Sequence, residues 1–169
     1  MRNIFLIFMP FFFFLVLASM FDLLTFTIPN WLCVLLAASF FPAALVAHLP
    51  LAALVAQIAC GLTILTATFL LFQFGWLGGG DAKLAAAIAL WLGWKGLPLF
   101  MIQTGLWGGA LAALLLLLRQ LPLPLIVLNQ KYIARLRDPQ GGAPYGIALS
   151  FGGLFALSHS PLWPLVSGA

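Results

Sequence analysis

The chain has 169 residues, 64% hydrophobic and only 6% charged, with a mean hydropathy of +1.18. A soluble domain carries roughly 25% charged residues, so a soluble fold is excluded and residues 1–169 read as a single membrane domain. The formal net charge of +4 rests on seven Lys and Arg spread along the chain, which form no patch for nucleic acid and serve better as topology signals.

A membrane helix needs about 20 mostly apolar residues. Met1, Arg2 and Asn3 followed by an apolar run look like the start of a signal peptide. The run is long and rich in Phe, however, and the chain re-enters an apolar stretch at Ile28, so the run is expected to stay as a first span, 4–21. Asp22 closes it. Pro29 and Asn30 precede a second span, 31–47, and the turn His48-Leu49-Pro50 precedes a third, 51–72. Glycines from Gly75 to Gly80 and Asp81 lead into 82–94. At 1.5 Å per residue that segment reaches only about 20 Å, so it is expected to start among the glycines and hold Asp81 partly within the membrane. A break from Gly93 to Pro98 leads to 97–118. The polar stretch 119–144 holds a segment, 123–137, suited to an interfacial amphipathic helix. The last span is 145–165. The expected fold is all-α, a polytopic membrane protein with about six transmembrane helices.

Arg119, Lys131, Arg135 and Arg137 fall in one loop, which the positive-inside rule places in the cytoplasm. Counting back through alternating spans puts the Gly75 to Asp81 loop and Asp22 on that same face.

There are three acidic residues, Asp22, Asp81 and Asp138, and no Glu. An ionisable group at the edge of hydrocarbon is costly and is a functional candidate for that reason. Two carboxylates within hydrogen-bond reach do not both ionise easily, so they share a proton. One then takes a proton from an attacking water while the other polarises the bond under attack, chemistry suited to a peptide or another polar bond. The plain alternative is that each Asp is a separate helix cap or interfacial residue. Gly78, Gly79 and Gly80 permit close approach of another backbone or form a simple flexible turn. They make no phosphate loop, because no Gly-Lys-Ser/Thr follows. Lys83 either pairs with an acid or substrate or snorkels to the headgroups. Asp138, beside Arg137, is expected to be solvated. His48 and His159 fall on the opposite face, and Cys33 and Cys60 lie in apolar segments without a CxxC pattern. No metal, cofactor or disulfide is therefore expected. Trp76, Trp91, Trp94 and Trp163 lie near span ends, as an aromatic belt would place them.

Three motifs occur in order: Asp22-x5-Ile28-Pro29-Asn30, Gly78-x-Gly80-Asp81-x-Lys83-Leu84, and Pro144-Tyr145-Gly146 at the last span. Together they resemble the type IV prepilin peptidases, membrane aspartic proteases of the GxGD type, in a short form similar to those of tight-adherence (Flp) pilus systems. The resemblance implies that Asp22 and Asp81 are the catalytic pair. It implies supporting or substrate-contacting roles for Gly78, Gly79, Gly80, Lys83, Pro29, Asn30, Tyr145 and Gly146. It further implies an enzyme of the bacterial inner membrane that removes the basic leader of a prepilin or pseudopilin at the cytoplasmic face, just before the pilin's hydrophobic helix. Family members often carry bases between the first Asp and Ile-Pro-Asn, whereas this chain has Leu24, Thr25, Phe26 and Thr27 there. The tetracysteine domain of the long forms has no counterpart among two cysteines, so N-methyltransferase activity is not expected. Expected partners are the pilin-like substrate, membrane lipid and pilus assembly machinery, with no nucleic acid. The rival readings are a non-catalytic pilus or secretion assembly subunit and a small proton-coupled transporter. Acids at span ends argue against the transporter, whose carriers sit near mid-membrane.

Overall fold

The computed structural model describes residues 2–120 and 143–167. All regular elements among them are helical: α1 (Arg2–Thr25), α2 (Asn30–Val46), α3 (Leu51–Gln73), α4 (Gly79–Gln120), α5 (Tyr145–Ala156), a 3-10 turn at Leu157–His159, and α6 (Leu162–Ser167). Leu6–Thr25, Leu51–Gln73 and Gly79–Gln120 are long and apolar enough to cross a membrane, and Asn30–Val46 is a shorter apolar helix. Large apolar side chains such as Leu6, Leu45, Leu51 and Met101 stand mostly exposed. Such a surface is a liability in water and the natural exterior in lipid. The chain is a membrane protein.

Prolines set the helix starts. Pro29 and Pro50 occupy the N-cap positions of α2 and α3 with extended ψ of 138° and 143°. There the missing N–H costs nothing and the fixed φ suits the entry. Within α4, the break expected over Gly93 to Pro98 is confined to Gly93, whose φ of 63° and ψ of −174° are non-helical and essentially open to glycine alone. It divides α4 into a first arm, residues 79–92, and a second, 94–120. The first arm does begin among the glycines, with Asp81 in its first turn.

The final span differs from expectation. Residues 145–165 do not form one helix: α5 has 12 residues, the 3-10 turn follows, and α6 has 6. Ser160 precedes Pro161 and is extended, at φ −62° and ψ 141°, as clash with a proline ring dictates. About six separate long helices are thus not what the described residues show. Arg119 sits in the last turn of α4. The expected interfacial helix, Lys131, Arg135, Arg137 and Asp138 lie outside the described residues.

The first arm of α4 is the core. Ala82 and residues 84–93 are all buried, the mark of a helix surrounded on every side. Trp91 is fully buried among Phe8, Phe11 and Phe40, with ring centroids 6.3, 5.2 and 5.8 Å away. This corrects the aromatic-belt assignment for Trp91. A buried indole needs an acceptor, and Trp91 Nε1 donates to Leu36 O at 2.9 Å. Trp76 and Trp94 remain exposed. Three more polar ties join the helices: Ser160 Oγ to Trp91 O at 2.6 Å, Ser150 Oγ to Leu15 O at 3.2 Å, and Thr68 Oγ1 to Ala82 O at 3.2 Å. Glycines admit the closest crossings. A Cβ on Gly61 would stand 3.1 Å from Leu90 Cβ, and one on Gly153 3.0 Å from Ile88 Cγ2, the small-residue contact typical of membrane helices. Cys33 and Cys60 are buried free thiols, in line with the packing role expected of them.

Candidate active site

Asp22 does not end the first helix. α1 continues to Thr25, which places Asp22 in its last turn with only 4% of its surface exposed. Its carbonyl accepts from Phe26 N at 2.8 Å, and Phe26 takes a left-handed φ of 55°. That is how helices commonly terminate, although usually through glycine; a bulky residue there is an outlier. Thr25 Oγ1 bonds to Phe21 O at 2.7 Å and pairs with Thr27 Oγ1 at 2.8 Å. The chain therefore folds back at once, and residues 26–28 lie beside Asp22.

The start of α4 meets this turn. Gly80 packs on Ile28 so tightly that a Cβ would come within 3.1 Å of Ile28 Cβ and 3.3 Å of its backbone N. A Cβ on Gly78 would stand 2.7 Å from Asp81 Oδ2. The close approach expected of the glycines is thus made by residue 28. Asp22, Asp81, Gly78, Gly79, Gly80 and residues 26–28 line one cavity of about 280 Å³. Two acids on different helices are brought to one space.

A third element completes it. The Gly146 N–H, at the start of α5, donates to Asp22 Oδ2 at 2.6 Å. A helix N-terminus is a natural seat for a carboxylate. Only glycine fits there: a Cβ would lie 2.8 Å from Asp22 Oδ2 and 2.9 Å from Ile28 Cδ1. That oxygen is thereby held in place by the backbone at the start of α5.

The remaining expected residues lie around this centre. Pro29 starts α2. Tyr145 turns its ring towards Gly108 on the second arm of α4, where no side chain would fit, and so anchors the start of α5. Lys83 Nζ donates to Asn30 Oδ1 at 2.7 Å. Among the described residues that amide, and not a carboxylate, is its hydrogen-bond partner, and both residues line a neighbouring groove. His48 follows the far end of α2, a helix about 25 Å long by its 17 residues, and His159 lies in the 3-10 turn. Sequence reasoning did not single out Phe26, Thr27 and Ile28 as cavity walls. Their fixed interval between Asp22 and Pro29-Asn30 was the available signal.

Comparison with known families matches residues 9–130 to the type IV leader peptidase family. The chain belongs to that family. The match takes in both acid-bearing motifs and stops short of Gly146, whose donation to Asp22 is seen in the geometry. At the level of the family, the function is that of a leader peptidase set in a membrane. Neither a curated protein nor a solved structure matches the chain.

Proposed function

We propose that the chain is a membrane aspartic endopeptidase that removes the basic leader from type IV or Flp prepilins, or from pseudopilins, with Asp22 and Asp81 as its catalytic pair. The observation that carries this reading is the single cavity lined by both acids, within a chain of the leader peptidase family. The active site faces the cytoplasm of the bacterial inner membrane, by the charge rule applied to the 119–144 loop.

In the reaction the ionised carboxylate takes a proton from water as the water oxygen bonds to the scissile carbonyl carbon. The protonated carboxyl donates to the carbonyl oxygen as charge develops there. When the tetrahedral intermediate collapses, the C–N bond breaks and a proton passes from the pair to the leaving amine. Gly146 N–H holds one Asp22 oxygen fixed through these steps, which keeps the acid oriented.

The test is cleavage of a candidate prepilin in membranes by wild type, Asp22→Asn and Asp81→Asn at matched expression. Each variant is expected to lose about 10²–10⁴-fold in rate, the span assigned to a positioned acid or base, while retaining its fold. Retained cleavage in both variants would make the acids structural and end the aspartic assignment.

A further inference from the structure

A second cavity adjoins the acids. It is a groove of about 500 Å³ between α2 and α3, floored by the first arm of α4. α2 and α3 each pack on α4 but make little contact with each other, so the slot between them stays open. Its lining runs in step on all three helices, away from the acids: from Asn30 to Phe41 on α2, from Lys83 to Leu90 on α4, and from Leu65 back to Ile58 on the reversed α3. On α2 this is about 16 Å of helix. Its polar end is the bonded pair Lys83 and Asn30. Asn30 stands two residues from Ile28, and Lys83 two from Asp81, both of them walls of the acid cavity. Beyond that pair the lining is apolar apart from the Cys33 thiol.

We infer that this groove seats the first turns of the substrate's apolar helix, with the leader lying across the acid cavity. The inference rests on the leader-peptidase reading and names where the membrane part of that substrate binds. A precursor cut at the edge of its apolar helix needs two sites in fixed register: a polar one for the bond and an apolar one for the helix that follows. The groove begins where the acid cavity ends and extends in one direction from it. Its floor residues Ala86 and Ala87 and its wall residue Ala37 are small enough for another backbone to come close, which is how helices associate where lipid tails compete on equal terms for apolar contact. A lipid chain could fill the same space but has no need of an end aligned on the acids.

The test compares wild type with Val34→Trp and Ala37→Leu, which fill the groove and leave the acid cavity untouched. Two substrates are used: a full precursor in liposomes, and a soluble peptide carrying the leader and only a few residues past the scissile bond. The expected result is a KM for the precursor raised about tenfold, with the short peptide changed by less than about twofold, the scale of a misfit in an apolar seat. Equal losses on both substrates would mean that the groove serves the fold or holds lipid, and would overturn the inference. Unchanged kinetics on both would do the same. A photo-crosslinker at exposed Leu62 on the groove, in an Asp81→Asn background, should capture the substrate's apolar helix, whereas one at exposed Phe13 on α1 should not. No capture at Leu62 overturns the groove assignment even in an enzyme whose wild type cleaves. A wild type that cuts neither substrate ends the peptidase reading itself, and this inference with it.

Discussion

The two arms of α4 are both apolar and finish in different surroundings. Before Gly93, Ala82 and residues 84–93 are buried. After it, Met101, Ile102, Leu106, Leu114, Leu116 and Leu117 are each more than half exposed. In water both arms would be drawn inside. In a bilayer the surrounding tails are as apolar as leucine, so hydrophobicity no longer sorts inside from outside, and closeness of packing does. The first arm is rich in alanine, and neighbours such as Gly61 and Gly153 close in on it. The second arm carries leucines that reach into lipid, and it packs on α5, where Trp107 stacks on Phe151 at 5.0 Å. The presence of neighbours that close in, more than polarity, decides which arm becomes core.

That contrast can be broken most severely at its hinge. Gly93→Ala forces a side chain into a glycine-only conformation, with its Cβ 2.6 Å from Gln57 Oε1. A loss of about 3 kcal/mol is expected, the upper range for such backbone strain, read as a lowered unfolding midpoint in detergent micelles. Ala89→Leu, at a site with no exposed surface, overpacks the first arm and should cost about 2 kcal/mol in the same assay. Trp91→Phe keeps an aromatic side chain but deletes the bond to Leu36 O and leaves a void where half of a fully buried indole stood. It should cost about 2 kcal/mol, the lost hydrogen bond plus the void. Leu116→Ala on the exposed arm should move stability by less than about 0.5 kcal/mol. A large effect there would place that face against a protein partner instead of lipid.

Much of the site was legible because its chemistry is rare in such a chain. With three acids in 169 residues, two of them at span ends are conspicuous, and the glycine run before Asp81 announced a close approach. The first four helices also followed from apolar runs and prolines. What the sequence did not disclose was which apolar residue faces what. Trp91 read as a belt residue because an indole near a span end looks the same whether it anchors to headgroups or finds a carbonyl on a neighbouring helix. The last span reads as one helix because its apolar content is continuous, and a single proline, Pro161, is the sequence's only mark of the extended backbone at Ser160. Lys83 was open between an acid and the interface, and its bond to Asn30 depends on how α2 crosses α4. Gln57 remains an orphan among the described residues: it is 1% exposed, and both polar atoms of its amide lack a partner.

The bond from Gly146 N–H to Asp22 joins positions 124 residues apart, and it has a consequence for the order of synthesis. Asp22 enters the membrane with the first helix, Asp81 follows with α4, and the donor that holds Asp22 arrives only with α5. While the chain is still emerging from the ribosome, the two acids are present without the contact that orients one of them. The pocket around the two acids is thus complete only once α5, made late in the chain, has joined the helices that precede it.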